Sequence, residues 1–250
     1  MKAAHDSGFS RWVGRLLRRP PDMLCVLGMH RSGTSCLTGL LEEAGIFLGA
    51  VSKSNPHNKK GNQENLRIMA LNDALLESNG ASWDQPPAGP LAFTPDQVQA
   101  IRDLIAAEYQ GHSPWAFKDP RTLLTLEAWL AALPRPAFIG TFRHPLAVAA
   151  SLSKRQGWEL ARGIDLWCHY NRRLLTFHAR FGFPLLDFDL PPAAYAQRFR
   201  DALRTLGLGE APAELAFYDT TLVNQRLETE DSAVPTVALD ILADLRGRAR

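Results

Sequence analysis

The sequence predicts an α/β fold of three layers, a central parallel sheet with helices on both faces. Three observations carry that expectation. Short apolar runs of strand length alternate along the chain with segments of helical period, as parallel strands and their crossovers require. The first run, "MLCVLG", passes straight into a turn rich in Gly, Ser and Thr and then a helix. Later runs end in charge, at Lys118-Asp119-Pro120-Arg121 and Arg143-His144-Pro145. The carboxyl ends of strands are where open α/β sheets bind ligands.

Met23–Gly28 reads as a buried strand. Thr34–Ala44 reads as a helix, because Leu37, Leu40, Leu41 and Ala44 recur on one helical face, and Ala44-Gly45 stops it. Residues 46–61 are polar and loop-like. A helix over Gln63–Ser78 is expected to bury Leu66, Met69, Ala70, Leu71 and Leu75. "DQPPAGP" is a loop. Thr94-Pro95-Asp96-Gln97 is a capping box with proline at the first helical position, opening a helix to Tyr109. "WAFKDP" is a short strand, Thr122–Leu133 a helix and Pro136–Phe142 a strand. Pro145 opens a helix reaching Lys154. Glu159–Phe181 is a long helix expected to bury Leu160, Ile164, Trp167, Leu174 and Phe181. Pro184–Phe188 is a strand, Pro192–Leu206 a helix, and a last helix lies near Val237–Arg246 after an irregular stretch. There is no internal repeat, so the expected organisation is a basic arm over 1–22 and one α/β domain over 23–250.

Composition is globular, with 46% hydrophobic and 22% charged residues in 250. Lys+Arg totals 28 against 26 for Asp+Glu, an excess of two, so charge gives no reason to expect nucleic acid as a partner. The local excess is in residues 1–22, where Lys2, Arg11, Arg15, Arg18 and Arg19 outweigh Asp6 and Asp22. This segment reads as a basic arm ended by Pro20-Pro21. The competing reading is an interfacial helix, with Phe9, Trp12, Val13, Leu16 and Leu17 making weak peripheral membrane contact. It has no continuous apolar core of a secretory leader, so a cytoplasmic location is expected. Cys25, Cys36 and Cys168 are scattered, which suggests three buried thiols and no metal site.

The chemistry gathers at the strand ends. Gly28–Ser35 is a strand-turn-helix loop of P-loop type, whose amides around Ser32–Ser35 can converge on an anion at a helix N-terminus. Gly33 permits the turn, Thr34 and Ser35 add hydroxyls, and Arg31 adds a guanidinium that can fork onto oxyanions. Thr34 occupies the slot where an ATP-binding loop carries lysine. Asp119, flanked by Lys118 and Arg121, is the nearest candidate for a magnesium carboxylate, and a poor one. A donor that needs no metal therefore fits better than ATP. Arg143, with Ser151 eight residues on, is a candidate grip for a second phosphate.

Together "GMHRSGTSCLTGLL", "NKKGNQENLRIMALNDALL", "WAFKDPRTLLTLEAWL" and "TFRHPLAVAASLSKR" resemble bacterial members of the sulfotransferase family, in order and approximate spacing. The resemblance runs over roughly residues 22–190 and includes "WCHYNRRLL". It implies 3′-phosphoadenosine 5′-phosphosulfate (PAPS) as sulfuryl donor, with its 5′-phosphosulfate held by Arg31, Ser32, Gly33, Thr34 and Ser35. Arg143 and Ser151 then match the grip on its 3′-phosphate. Lys118 matches a lysine that stabilises the transferring group. Glu64 matches the general base, although Asn62 and Gln63 stand where related sequences carry aromatics. The bisphosphate PAP would be the product, and the expected acceptor is a carbohydrate or glycolipid.

Other readings of these residues stay open. Lys118 would be a surface ion pair with Asp119, and Glu64 a first-turn carboxylate favoured by the helix dipole. His30, His57 and His144 compete with Glu64 as base, with His144 otherwise a capping or surface group. Asn171 lies on the apolar stripe of its helix and is read as structural. The rival functions are a magnesium-dependent phosphotransferase and a catalytically degenerate nucleotide-binding module.

Overall fold

The computed structural model describes residues 20–53, 61–217 and 234–249. Residues 1–19 of the basic arm and His57 lie outside the described residues. Among the described residues four strands form one parallel sheet: β1 (Met23–Leu27), β2 (Trp115–Lys118), β3 (Ala137–Phe142) and β4 (Leu185–Asp187), in the order β2-β1-β3-β4. Among the described residues eight helices surround it: α1 (Thr34–Glu43), α2 (Leu66–Glu77), α3 (Pro95–Tyr109), α4 (Thr122–Ala132), α5 (Pro145–Gln156), α6 (Leu160–Phe181), α7 (Pro192–Leu206) and α8 (Thr236–Arg248).

The strand period of two builds the layers directly. Leu24 and Val26 of β1 face a core closed by Leu37, Leu40 and Leu41 of α1 and Tyr195, Phe199 and Leu203 of α7. Cys25 and Leu27 face the larger core beneath α2 to α6 and α8, which holds Trp129, Trp167 and Tyr170. β1 is therefore central and buried on both faces, and its carboxyl end delivers the loop at Met29. Among the described residues no helix is long and apolar enough to cross a membrane.

Several local expectations differ from the structure. α2 begins at Leu66 rather than Gln63, because the Asn65 side chain caps it by accepting from the backbone N–H of Arg67 and Ile68. Its buried residues are Ile68, Asn72, Leu75 and Leu76, while Leu66 is 59% exposed. The rotation follows from Asn72. Its amide donates to Asp119 Oδ2 and Thr122 Oγ1, both at 2.9 Å, and accepts from Thr125 Oγ1 at 2.6 Å and Trp129 Nε1 at 2.8 Å. A fully satisfied buried amide sets the helix phase that an apolar count misses. In α6, Leu160 and Phe181 sit at the ends and are exposed, and the buried stripe is Ile164, Trp167, Tyr170, Asn171, Leu174 and Phe177. Cys25 and Cys168 are buried, whereas Cys36 is half-buried.

Candidate active site

The loop after β1 enters the left-handed region in two places. Arg31 has φ of 67° and Gly33 has φ of 83°. The left-handed region is ordinary for glycine, but it costs a non-glycine residue about 1–3 kcal/mol, a cost that clusters at functional sites. Gly33 is required twice over, since a Cβ there would also lie 2.3 Å from the Phe188 ring. Gly33 is the N-cap of α1, and no side chain caps that helix. Its first-turn amides are thus left for an anion. Ser32 departs from the expected convergence: its N–H turns back onto Met29 O at 3.3 Å, and its buried Oγ finds no partner among the described residues.

Arg31 reaches across to α5, where its Nε donates to Ser151 Oγ at 2.7 Å. Burial, then the nearby Arg155 and Arg143, push the Arg31 guanidinium below its ordinary value. Arg143, at the end of β3, pairs with Asp189 (Nε to Oδ1, 3.1 Å) and lies over the Phe188 ring. The structure therefore brings the loop arginine, Ser151 and Arg143 to one end of the sheet.

Lys118 ends β2 on the other side of the loop. It is buried, and its Nζ donates to Glu64 Oε1 at 2.8 Å, to Ser35 Oγ at 3.3 Å and to Asn62 O. The expected alternative, a surface pair with Asp119, is corrected. Asp119 accepts from Asn72 and from both the backbone and guanidinium of Arg121, which also meets Asp73 at 2.5 Å. Glu64 likewise is no first-turn carboxylate, because it precedes the Asn65 cap. It lies in an extended segment pinned by Ser52 N–H donating to Glu64 O at 2.9 Å, beside Gln63 with φ of 55°. Glu64, Lys118 and Ser35 thus form one cluster drawn from three elements far apart in sequence.

His30 sits where the two groups meet. Its ring packs on Trp83 at 4.8 Å and edge-on to Tyr170 at 6.1 Å, and its buried Nε2 has no partner among the described residues. Burial, then Arg121, Lys118, Arg155 and Arg31, hold it well below the ordinary histidine value. Trp83 stacks in turn on Trp158, and Arg162 covers the outer face of Trp158 at 3.9 Å. His144 is buried rather than at the surface; its backbone N–H donates to Asp189 Oδ2 at 2.6 Å. Asn171 donates to Trp167 O at 2.8 Å within α6. No group of three or more His, Cys, Asp or Glu among the described residues is arranged to hold a metal ion. Asn72, Trp158 and Arg155 are the residues near this site that the sequence reading passed over. A polar residue on the Ile68–Leu75 stripe was the available signal for Asn72.

Known structures share this fold. A sulfotransferase domain from the Synechococcus PCC 7002 olefin synthase superposes with a TM-score of 0.56 at 16% identity, covering 92% of this chain and 96% of that one. A sulfotransferase domain from the curacin biosynthetic pathway gives 0.52 at 17% identity, covering 92% and 99%. At these identities the likeness is one of fold. No curated protein sequence matches the chain. The profile of the sulfotransferase family, however, matches residues 22–188, a span running from β1 through β4 that contains the loop, Glu64, Lys118, Arg143 and Ser151. The chain belongs to the sulfotransferase family.

Proposed function

We propose that the protein transfers a sulfuryl group from PAPS to a hydroxyl or amine of an acceptor, with Glu64 as general base. The observation that carries this reading is the bond from Arg31 to Ser151. It joins the anion-binding loop to α5 beside Arg143, so donors from two elements meet at one end of the sheet. PAPS carries anionic groups at both its 5′ and 3′ ends, whereas ATP carries its phosphates on one. The residues present suit such a donor. The first-turn amides of α1 lack a side-chain cap, the Ser32 hydroxyl is buried without a described partner, and Gly33 lets the chain turn close to the ligand.

Arg31, Gly33, Thr34 and Ser35 would hold the 5′ end, and Arg143 and Ser151 the 3′ phosphate. When bound, this donor supplies an activated sulfuryl group on a bisphosphate leaving group. The protein supplies fixed charge and a proton acceptor. Lys118 Nζ orients the Glu64 carboxylate and is placed with Ser35 at the start of α1, where negative charge would accumulate. The Glu64 carboxylate takes the acceptor proton. Such preorganised donors work without solvent rearrangement at the moment of transfer. The acceptor in this reading is a carbohydrate or glycolipid; the Trp83–Trp158 stack beside His30 is closed on its outer face by Arg162.

The phosphotransferase alternative fares worse. Thr34 leaves no lysine in the loop, and Asp119 is spent on Asn72 and Arg121 rather than turned to a cation. The test is transfer of labelled sulfate from PAPS into a fractionated host extract. Label in an isolable acceptor supports the reading. Binding of PAP with no labelled product in any fraction would leave only a nucleotide-binding module.

A further inference from the structure

The histidine of the anion-binding loop has no task in the transfer drawn above. Arg31 turns to Ser151, while the His30 ring lies against Trp83, with centroids 4.8 Å apart, and edge-on to Tyr170 at 6.1 Å. That wall is fixed. The Tyr170 hydroxyl donates to Trp83 O at 2.9 Å. The turn carrying Trp83 is pinned by Ser82 Oγ donating to Asp84 Oδ1 at 2.8 Å and by Arg162 pairing with Asp84 Oδ2 at 2.9 Å. These polar groups are spent on one another, and none of them turns to His30. Its Nε2 is buried and meets no partner among the described residues. A buried polar atom left unbonded costs about 1–3 kcal/mol, so packing alone would favour an apolar ring at this position. The surroundings also narrow the chemistry of the missing partner. Burial, and then Arg121, Lys118, Arg155 and Arg31, hold the imidazole neutral. A neutral imidazole offers a hydrogen bond but no charge. It suits a hydroxyl rather than an oxyanion, for which the loop already has a guanidinium and amides. Lys118 links the ring to the general base, since its charge reaches His30 and its Nζ holds Glu64 Oε1 at 2.8 Å.

We propose that His30 Nε2 binds the acceptor, through a hydrogen bond to a hydroxyl other than the one that receives the sulfuryl group. His30 is thus a specificity contact, which favours a polyhydroxylated acceptor over a simple alcohol, and the proton acceptor remains Glu64. The inference rests on the transfer reading above, and one set of assays separates the two. Wild-type protein, His30→Gln and His30→Asn are compared in the labelled-sulfate assay, with the host-extract fraction that takes label from the wild type as acceptor. Glutamine keeps a polar atom near the place of Nε2, whereas asparagine keeps one near Nδ1 and leaves the Nε2 position empty. Loss of one hydrogen bond made equally before and during transfer predicts that His30→Asn raises the apparent acceptor KM on the order of 10-fold, with kcat near the wild-type value. His30→Gln recovers most of that loss. PAP affinity by calorimetry and the thermal midpoint hold in both variants. A wild-type acceptor KM in His30→Asn overturns the contact while leaving the transfer reading standing. Equal losses in the two variants mark packing and overturn it as well. So does weakened PAP binding, which returns His30 to the donor side of the loop, or a fall in kcat at unchanged acceptor KM, which makes it a proton acceptor. A wild type that labels no fraction overturns the transfer reading and the contact with it.

Discussion

At the scale of single residues, Lys118 and Glu64 separate catalysis from stability. Their ion pair is buried, with side-chain exposures of 1% and 10%. Glu64→Gln keeps a hydrogen-bonding partner for Lys118, so it should fold while losing a general-base factor of roughly 10²–10⁴ in turnover. PAP affinity should hold. Turnover at the wild-type rate would remove Glu64 from the mechanism. Lys118→Met instead strands the carboxylate, at a cost of about 3–5 kcal/mol in unfolding free energy. Denaturant melts of the two variants should differ accordingly, and equal stability would show that the pair is not the structural unit drawn above. His30 makes a separate statement about pH. Burial and four nearby cations depress its folded-state value below the ordinary 6.5, so the unfolded chain binds a proton there that the folded chain refuses. Stability on this account is complete above 6.5 and falls as pH drops below it, by at most about 1.4 kcal/mol per pH unit. His169 and His178 are shifted the same way, mainly by burial, and add to the trend. His30→Phe should remove its share, narrowing the loss of stability between pH 7.5 and 5.5 in urea melts. Parallel pH curves for variant and wild type would show that His30 is not held neutral.

At the scale of elements, α2 shows where sequence reading succeeds and where it stops. The capping box Thr94–Gln97, the stop at Gly45 and the apolar face of α1 were legible because each is a local pattern of side chains and backbone. The phase of α2 was not. It is fixed by Asn72 satisfying four partners on β2's exit and on α4, contacts across about 50 residues that no window contains. The same holds for Lys118, whose partners lie at 35, 62 and 64. Its pairing with its neighbour Asp119 was the economical guess, and Arg121 had already taken that carboxylate. Asn72→Ala should therefore cost roughly 2–4 kcal/mol, since it leaves several buried groups unpaired. A loss below 1 kcal/mol in chemical denaturation would mean the α2–α4 contact tolerates an empty centre. In the loop, Gly33→Ala meets both an unfavourable φ and the Phe188 ring. It should abolish PAP binding even when Phe188 is shortened to Ala, because only the clash is relieved and the backbone strain persists. Recovery of binding in the double variant would place the whole constraint in the packing.

At the scale of the molecule, one sheet explains how remote stretches of sequence become neighbours. β1 is central and its partners β2 and β3 run parallel to it, so their carboxyl ends present the loop, Lys118 and Arg143 along a single edge. That layout was readable from the alternation of strands and helices and from the charge at each strand's end. The ion pairs among those ends were not readable, because they depend on which side chain reaches which partner across the edge. In the proposed function, this edge takes a nucleotide phosphorylated at both its 5′ and 3′ ends. Titration calorimetry addresses it directly, with adenosine 3′,5′-bisphosphate and with ATP, each in EDTA and in magnesium. The bisphosphate should bind the wild-type protein equally well in EDTA and in magnesium, and more tightly than ATP in either. Magnesium-dependent ATP binding tighter than that of the bisphosphate would contradict it.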